Sequence, residues 1–138
     1  MIVFADTSAL YALMVRDDRM HVRAKKCFSH FAEHAVQLIS SSFVLVETIA
    51  LLQRRIGLDA VQDFHVRIVP LLDVLWVNAE WYARAFQRLS SQRKQDLSLV
   101  DCLSFEIMEA RAVSLAYAYD QHFEENGFTL VLFDDDPG

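Results

Sequence analysis

Four acidic residues stand inside stretches that otherwise exclude charge. Asp6 ends the run IVFAD, Glu47 interrupts FVLVETIALL, Asp101 interrupts LSLVDCLSF, and Asp120 ends VSLAYAYD. An ionised carboxylate among apolar side chains is costly unless it is paired, protonated or bound to a metal. No Lys or Arg stands beside any of the four in sequence. One such residue can be a helix cap. Four together predict a fold that gathers them around a shared cation.

The remaining composition sets the frame. The chain has 138 residues, enough for one domain, and its 54% hydrophobic content supplies a substantial core. With only 3 Gly and 2 Pro there are few breaks, so helices are expected to dominate. Residues 1–133 read as one domain, and DDDPG over 134–138 as a short acidic, solvated tail. A net charge of −6 argues against coating nucleic acid by bulk electrostatics. It leaves room for a nucleic-acid enzyme, because metal-holding carboxylates count fully in that sum while their cation neutralises them.

Cys27 and Cys102 are too few for a disulfide framework or a zinc site, and both lie in apolar helical patterns, so buried free thiols are expected. The N-terminal MIVFADTSALYALMVRDD has no basic lead, and Asp6 breaks its apolar run, so no signal peptide is expected there. No uncharged apolar stretch reaches the roughly 20 residues of a membrane span. A soluble, cytoplasmic protein is expected.

Strand and helix signals alternate along the chain. Residues 2–5 predict a buried strand, and Thr7 or Ser8 the N-cap of a short helix through ALYALMV. Asp17-Asp18 opens a helix to about His34, with Val22, Ala24, Cys27, Phe28, Phe31 and Ala32 on its apolar side. QLISS is a second strand. The helix over 43–55 is apolar nearly all round, which predicts deep burial of its first turns. Gly57 closes it, and LDAVQDFHVRIVPLL forms the next helix, with Pro70 near its end. DVLWV is a third strand, and Asn78 caps a helix to about Gln92. SSQRKQD is a polar loop, and Ser98 or Asp96 caps a helix to about Arg111. SLAYAY is a strand, Asp120 caps a short helix, and TLVLF is a fifth strand.

This alternation predicts an α/β fold: a three-layer α/β/α sandwich around a mainly parallel five-stranded sheet. In an open parallel sheet, strand C-termini and the N-termini of the following helices share one edge, where ligands bind. Asp6 and Asp120 are expected at strand ends, and Glu47 and Asp101 in the first turns of helices. All four then belong to that edge. Carboxylate oxygens suit Mg²⁺ or Mn²⁺, whereas zinc prefers nitrogen and sulfur. Two such ions about 4 Å apart activate a water and stabilise the leaving oxygen of an in-line phosphoryl displacement. Each acid also has a plainer explanation. Asp6 and Asp120 can be caps, Asp101 completes an S-x-x-D capping box with Ser98, and Glu47 can join a distant ion pair.

The segments FADTSALYAL, VET, LSLVDCLSFEIM and YDQHFEENGF, in this order, resemble the PIN-domain proteins, and among them the VapC-type ribonuclease toxins of bacterial toxin–antitoxin pairs. The resemblance spans nearly the whole chain. It implies a Mg²⁺- or Mn²⁺-dependent endoribonuclease, with Asp6, Glu47, Asp101 and Asp120 matching the family's acidic quartet. It further implies that Asp6 and Asp101 are the principal metal ligands and that Glu47 supports the metal and its water. Asp120 then acts through a water or second ion. The hydroxyl of Thr7 or Ser8 corresponds to the small polar residue beside the first Asp, able to hydrogen-bond ligand or phosphate. An antitoxin partner and a homodimer are implied as well. The chain departs from the pattern at Ala110-Arg111-Ala112, where many relatives carry a glycine before the strand.

Other polar residues are weaker candidates. Arg93 and Lys94 lie just before Asp101, where a phosphate backbone can pass, and Arg84 and Arg88 can extend that basic strip. His21 with Asp17 and Asp18 can line the mouth of the site, or simply form a solvated helix start. His122 is expected at the surface or against substrate. Trp81, Tyr82 and Phe86, at helical spacing, suit core or dimer packing better than base stacking. Against the nuclease stands a catalytically silent PIN-like module acting through a protein partner. A phospho-acceptor or D-x-D phosphatase is disfavoured, since position 8 is Ser and a late strand ends in Tyr119-Asp120. As RNA targets, tRNA, rRNA and mRNA all stay open.

Overall fold

IVFA has no polar face to offer water, and it becomes the central strand β1 (Ile2–Ala5), with Val3, Phe4 and Ala5 fully buried. The computed structural model of the protein describes residues 1–131. The acidic tail and the last residues of TLVLF lie outside them. The elements that follow are α1 (Thr7–Met14), α2 (His21–Glu33), β2 (Gln37–Ser41), α3 (Ser42–Arg55) and α4 (Leu58–Arg67). A 3₁₀ turn over Val69–Leu71, which takes up Pro70, leads to β3 (Asp73–Leu75). Then come α5 (Ala79–Gln92), α6 (Leu99–Ala110), β4 (Leu115–Tyr117), α7 (His122–Glu125) and β5 (Thr129–Leu130).

The sheet has the order β3-β2-β1-β4-β5, and every pairing is parallel. The chain winds outward from β1 to β3, then returns past β1 to β4 and β5. Because parallel crossovers are right-handed, this reversal puts α1–α4 on one face and α5–α7 on the other. The packing agrees, since α1 contacts α2 and α3, α3 contacts α4, and α5 lies along α6. The expected three-layer sandwich is what forms. Its switch point, where the strand order reverses, falls between β1 and β4, the place where such sheets bind ligands.

Buried aromatics join the layers. Tyr117 of β4 meets Phe31 of α2 edge-on at 5.2 Å, and its hydroxyl donates to the Ala24 carbonyl at 2.7 Å. On the opposite face Phe105 packs edge-on against Phe123 at 5.0 Å and stacks on Phe128 at 5.5 Å. Each such ring contributes roughly 1.5–3 kcal/mol by burial. Cys27 and Cys102 are buried free thiols, and burial pushes the Cys27 thiol up to about 12. Among the described residues no helix is long and apolar enough to cross a membrane.

Several local expectations need correction. Asp6 itself is the N-cap of α1, with its side chain accepting the Ser8 amide, so neither Thr7 nor Ser8 fills that role. Helix α2 begins at His21, because the Asp18 side chain accepts the Met20 amide at 2.8 Å and holds the preceding residues in a turn. Val22 and Ala32 point outward. Helix α3 is buried on one side only, since Val46 is 66% exposed. Strand β3 stops at Leu75, leaving Trp76 exposed. The missing glycine has a structural counterpart, because Ala112 adopts a left-handed φ of 54° after α6. A residue with a Cβ holds that conformation at a cost of about 1 kcal/mol. Tyr117→Phe should lower unfolding free energy by about 1–2 kcal/mol in urea titrations and leave metal affinity unchanged, since it removes one buried hydrogen bond far from charge.

Candidate active site

The first carboxylate is fixed by the end of β1. The Asp6 amide donates to Tyr117 O at 3.0 Å, extending the β1–β4 pairing to the last strand residue. Its Oδ2 accepts from the Ser8 amide at 3.1 Å and the Ser8 hydroxyl at 2.7 Å. The Ser8 hydroxyl in turn accepts from the Tyr119 amide at 2.9 Å. One serine therefore clips the start of α1 to the segment leading to Asp120. Ser8 is committed to Asp6, and Thr7 to the core, where its hydroxyl faces Val44 O at 3.5 Å and Thr48 Oγ1 at 3.3 Å.

Asp101 is fixed by its helix. Ser98 Oγ accepts the Asp101 amide at 3.0 Å, and Asp101 Oδ2 accepts the Ser98 amide at 3.4 Å, a reciprocal capping box. The cap and the candidate site therefore use the same residue. Asp120 leaves β4 on the other side of the crevice, and its Oδ1 accepts the His122 amide at 2.9 Å. Oxygens of Asp101 and Asp120 and a ring nitrogen of His122 lie within 4.8 Å of one another. Glu47, half-buried in the second turn of α3, adds negative field at Asp6.

Electrostatics set these acids apart from ordinary surface carboxylates. Burial raises the Asp6 carboxyl to about 7, against the lowering effect of Ser8, and the charges of Asp101 and Glu47 push it the same way. Asp101 is raised by burial and then by Asp120. Among the described residues no Lys or Arg pairs with either. His122 is raised above its usual value, chiefly by the hydrogen bond to Asp96, then by Asp120 and Asp101. Hard oxygen donors, buried and mutually repelling, fit a divalent cation.

The basic candidates divide. Arg93, with a left-handed φ of 52°, and Lys94 are exposed in the loop between α5 and α6. Asp96 of the same loop reaches His122 Nε2 at 3.1 Å, which brings that loop to the rim of the site. Arg84 and Arg88 do not extend it. Arg88 pairs with Glu106 at 2.9 Å and Glu109 at 3.0 Å, and Arg84 with Glu106 at 3.4 Å, so both tie α5 to α6. His21 is held by the Ala12 carbonyl at 2.8 Å. Two residues were underrated in the sequence. His122 had only its spacing from Asp120 to mark it, and Asp96 read as an alternative cap.

The PIN-domain family model matches residues 3–129, and the chain belongs to that family. It is 33% identical over 130 residues to the 23S rRNA-specific endonuclease VapC20 of Mycobacterium tuberculosis, a match covering 94% of this chain and 97% of that protein. The crystal structure of VapC20, described as a sarcin–ricin loop cleaving toxin, aligns with a TM-score of 0.85 at 32% identity, covering 96% and 99% of the two chains. FitAcB from Neisseria gonorrhoeae aligns with a TM-score of 0.65 at 14% identity, over 94% and 96%, a likeness of fold alone.

Stability should report the buried acids directly. A carboxyl raised from 3.8 to about 7 binds its proton more tightly in the folded state, so that contribution to stability is present at low pH and lost as pH rises between those values. Asp101 and His122 act in the same direction. In EDTA, the melting temperature should fall by on the order of 10 °C between pH 5 and pH 8. Mn²⁺ should restore more of it at pH 8 than at pH 5. A flat profile by calorimetry would mean the acids are not buried as charges.

Proposed function

We propose that this protein is a metal-dependent endoribonuclease that hydrolyses an RNA phosphodiester, and that it is the toxin of a toxin–antitoxin pair. The observation that carries this reading is the buried Asp6 beside Asp101 and Glu47, with no Lys or Arg paired to Asp6 or Asp101 among the described residues. Asp6 and Asp101 would hold Mg²⁺ or Mn²⁺, with Glu47 and Asp120 completing the negative cage. When bound, the cation supplies an activated water and neutralises charge on the phosphate. The chain's own part is positional. Ser8 holds Asp6, the Ser98 box holds Asp101, and the end of β4 presents Asp120 across the crevice. Water attack in line with the leaving oxygen gives a 5′-phosphate and a 3′-hydroxyl, with no covalent enzyme intermediate.

The likeness to VapC20 over nearly the full length of both chains supports 23S rRNA, at the sarcin–ricin loop, as the substrate. An antitoxin that carries Arg or Lys into the carboxylates would displace the metal and silence the enzyme. A homodimer can use the exposed Tyr82 and Phe86 of α5, or Val46 of α3. A cytoplasmic location accords with the buried free thiols. The silent-module reading gains no support, because an inactive site has no need of unbalanced buried acids.

With ribosomes or the isolated rRNA loop in Mg²⁺ or Mn²⁺, cleavage at one position is expected, and EDTA should stop it. Asp101→Asn should lower cleavage by at least about 10³-fold while melting no earlier than the parent without metal, because it removes a buried charge and keeps the cap acceptor. Cleavage that persists in this variant would refute the assignment. Replacing Arg93 and Lys94 by Ala should raise KM, leave kcat nearly unchanged and flatten the salt dependence of binding by a slope of about 1–2.

A further inference from the structure

His122, the first residue of α7, stands beside the carboxylates of Asp101 and Asp120. Its Nδ1 lies 2.9 Å from Asp120 Oδ1 and 3.8 Å from Asp101 Oδ2. Its Nε2, on the other side of the ring, lies 3.1 Å from Asp96 Oδ2. The side chain is only 13% exposed, although it follows a surface turn.

The two edges of the ring have different chemistry. The exposed Asp96 carboxylate is an acceptor, so Nε2 carries the hydrogen that meets it. Nδ1 is enclosed and makes no aligned hydrogen bond, although a carboxylate oxygen stands 2.9 Å away. At that separation the ring nitrogen and the carboxylate oxygen are held together either by a proton on Nδ1 or by a cation beside both. In an octahedron with bonds of about 2.1 Å, neighbouring ligands are about 3.0 Å apart and opposite ones about 4.2 Å. The separations of 2.9 and 3.8 Å fall within the span that donors around one ion can occupy. An imidazole that turns one nitrogen to a cation while its other N–H meets a carboxylate is the usual setting of a metal-bound histidine.

Resting on the metal-dependent reading above, we infer that His122 is a nitrogen ligand of the bound cation, oriented by Asp96, and that it moves the centre's preference from Mg²⁺ towards Mn²⁺. Imidazole suits transition ions, whereas Mg²⁺ favours oxygen donors and keeps its waters. The four acids alone would offer oxygen only. The role of Asp96 is positioning, through the ring it holds.

Pulsed electron paramagnetic resonance of Mn²⁺ bound to the full chain tests this directly. Coupling to ¹⁴N is expected, should change to the ¹⁵N pattern when the protein is made with [¹⁵N]histidine, and should vanish in His122→Gln. The isotope experiment uses the unmutated protein, so it decides the question whether or not the variant folds. Equilibrium titrations should show Mn²⁺ affinity falling roughly 10-fold or more in His122→Gln, with a smaller fall in Asp96→Asn. Mg²⁺ affinity should change far less. Bound Mn²⁺ without nitrogen coupling, or equal weakening of both ions, overturns the inference and leaves the nuclease reading standing. If the unmutated protein binds no Mn²⁺ and cuts RNA in EDTA, the metal-dependent reading itself fails.

Discussion

Everything around the crevice depends on holding the Asp6 carboxylate where charge is least welcome. It sits at the end of the central strand, 3% exposed, with the fields of Asp101 and Glu47 acting on it. A chain optimised only for stability would replace it with an apolar residue. The surrounding structure instead fixes it in place. The β1–β4 pairing sets its backbone, Ser8 takes both an amide and a hydroxyl to one oxygen, and α1 starts on it. A side chain held this firmly cannot swing out to water to relieve its repulsion.

Topology explains why the other acids converge on the same point. The doubly wound order makes β1 and β4 neighbours, although more than a hundred residues separate them. Strand ends that are remote in sequence therefore open on one crevice. Asp6 and Asp120 come from its two walls, and Asp101 from the first turn of α6. The Ser8 hydroxyl spans β1 and the segment after β4, so the crevice is closed by a hydrogen bond as well as by the sheet.

How much of this was legible follows from the kind of signal each residue leaves. Asp6, Glu47, Asp101 and Asp120 stand out because charge inside an apolar run is a local contradiction that sequence displays. The parallel sheet was legible for the same reason: IVFA and LAY have no polar alternation. His122 and Asp96 left no such mark, since both lie in polar stretches and acquire their meaning only when loop 93–97 folds against the end of β4. Arg84 and Arg88 were misread because their partners, Glu106 and Glu109, belong to another helix. The start of α2 was misplaced because Asp18 uses its side chain to make a turn rather than to cap. Local chemistry was readable, and partnerships across elements were not.

Magnitudes decide what the site lacks. Asp6 caps α1 and Asp101 completes the Ser98 capping box of α6, and a cap with its favourable helix dipole contributes about 1 kcal/mol. Removing a carboxylate from water costs several. The upward displacement of both groups shows that burial and mutual repulsion outweigh the caps. The caps therefore orient the acids without satisfying them. A proton can balance one acid at a time and leaves the rest repelling, and the imidazole at the edge stands against Asp101 and Asp120. A divalent ion is the smallest group that offsets several of these charges together. The same deficit would make the crevice attractive to a basic side chain from a partner, so catalysis and its inhibition would draw on one electrostatic imbalance.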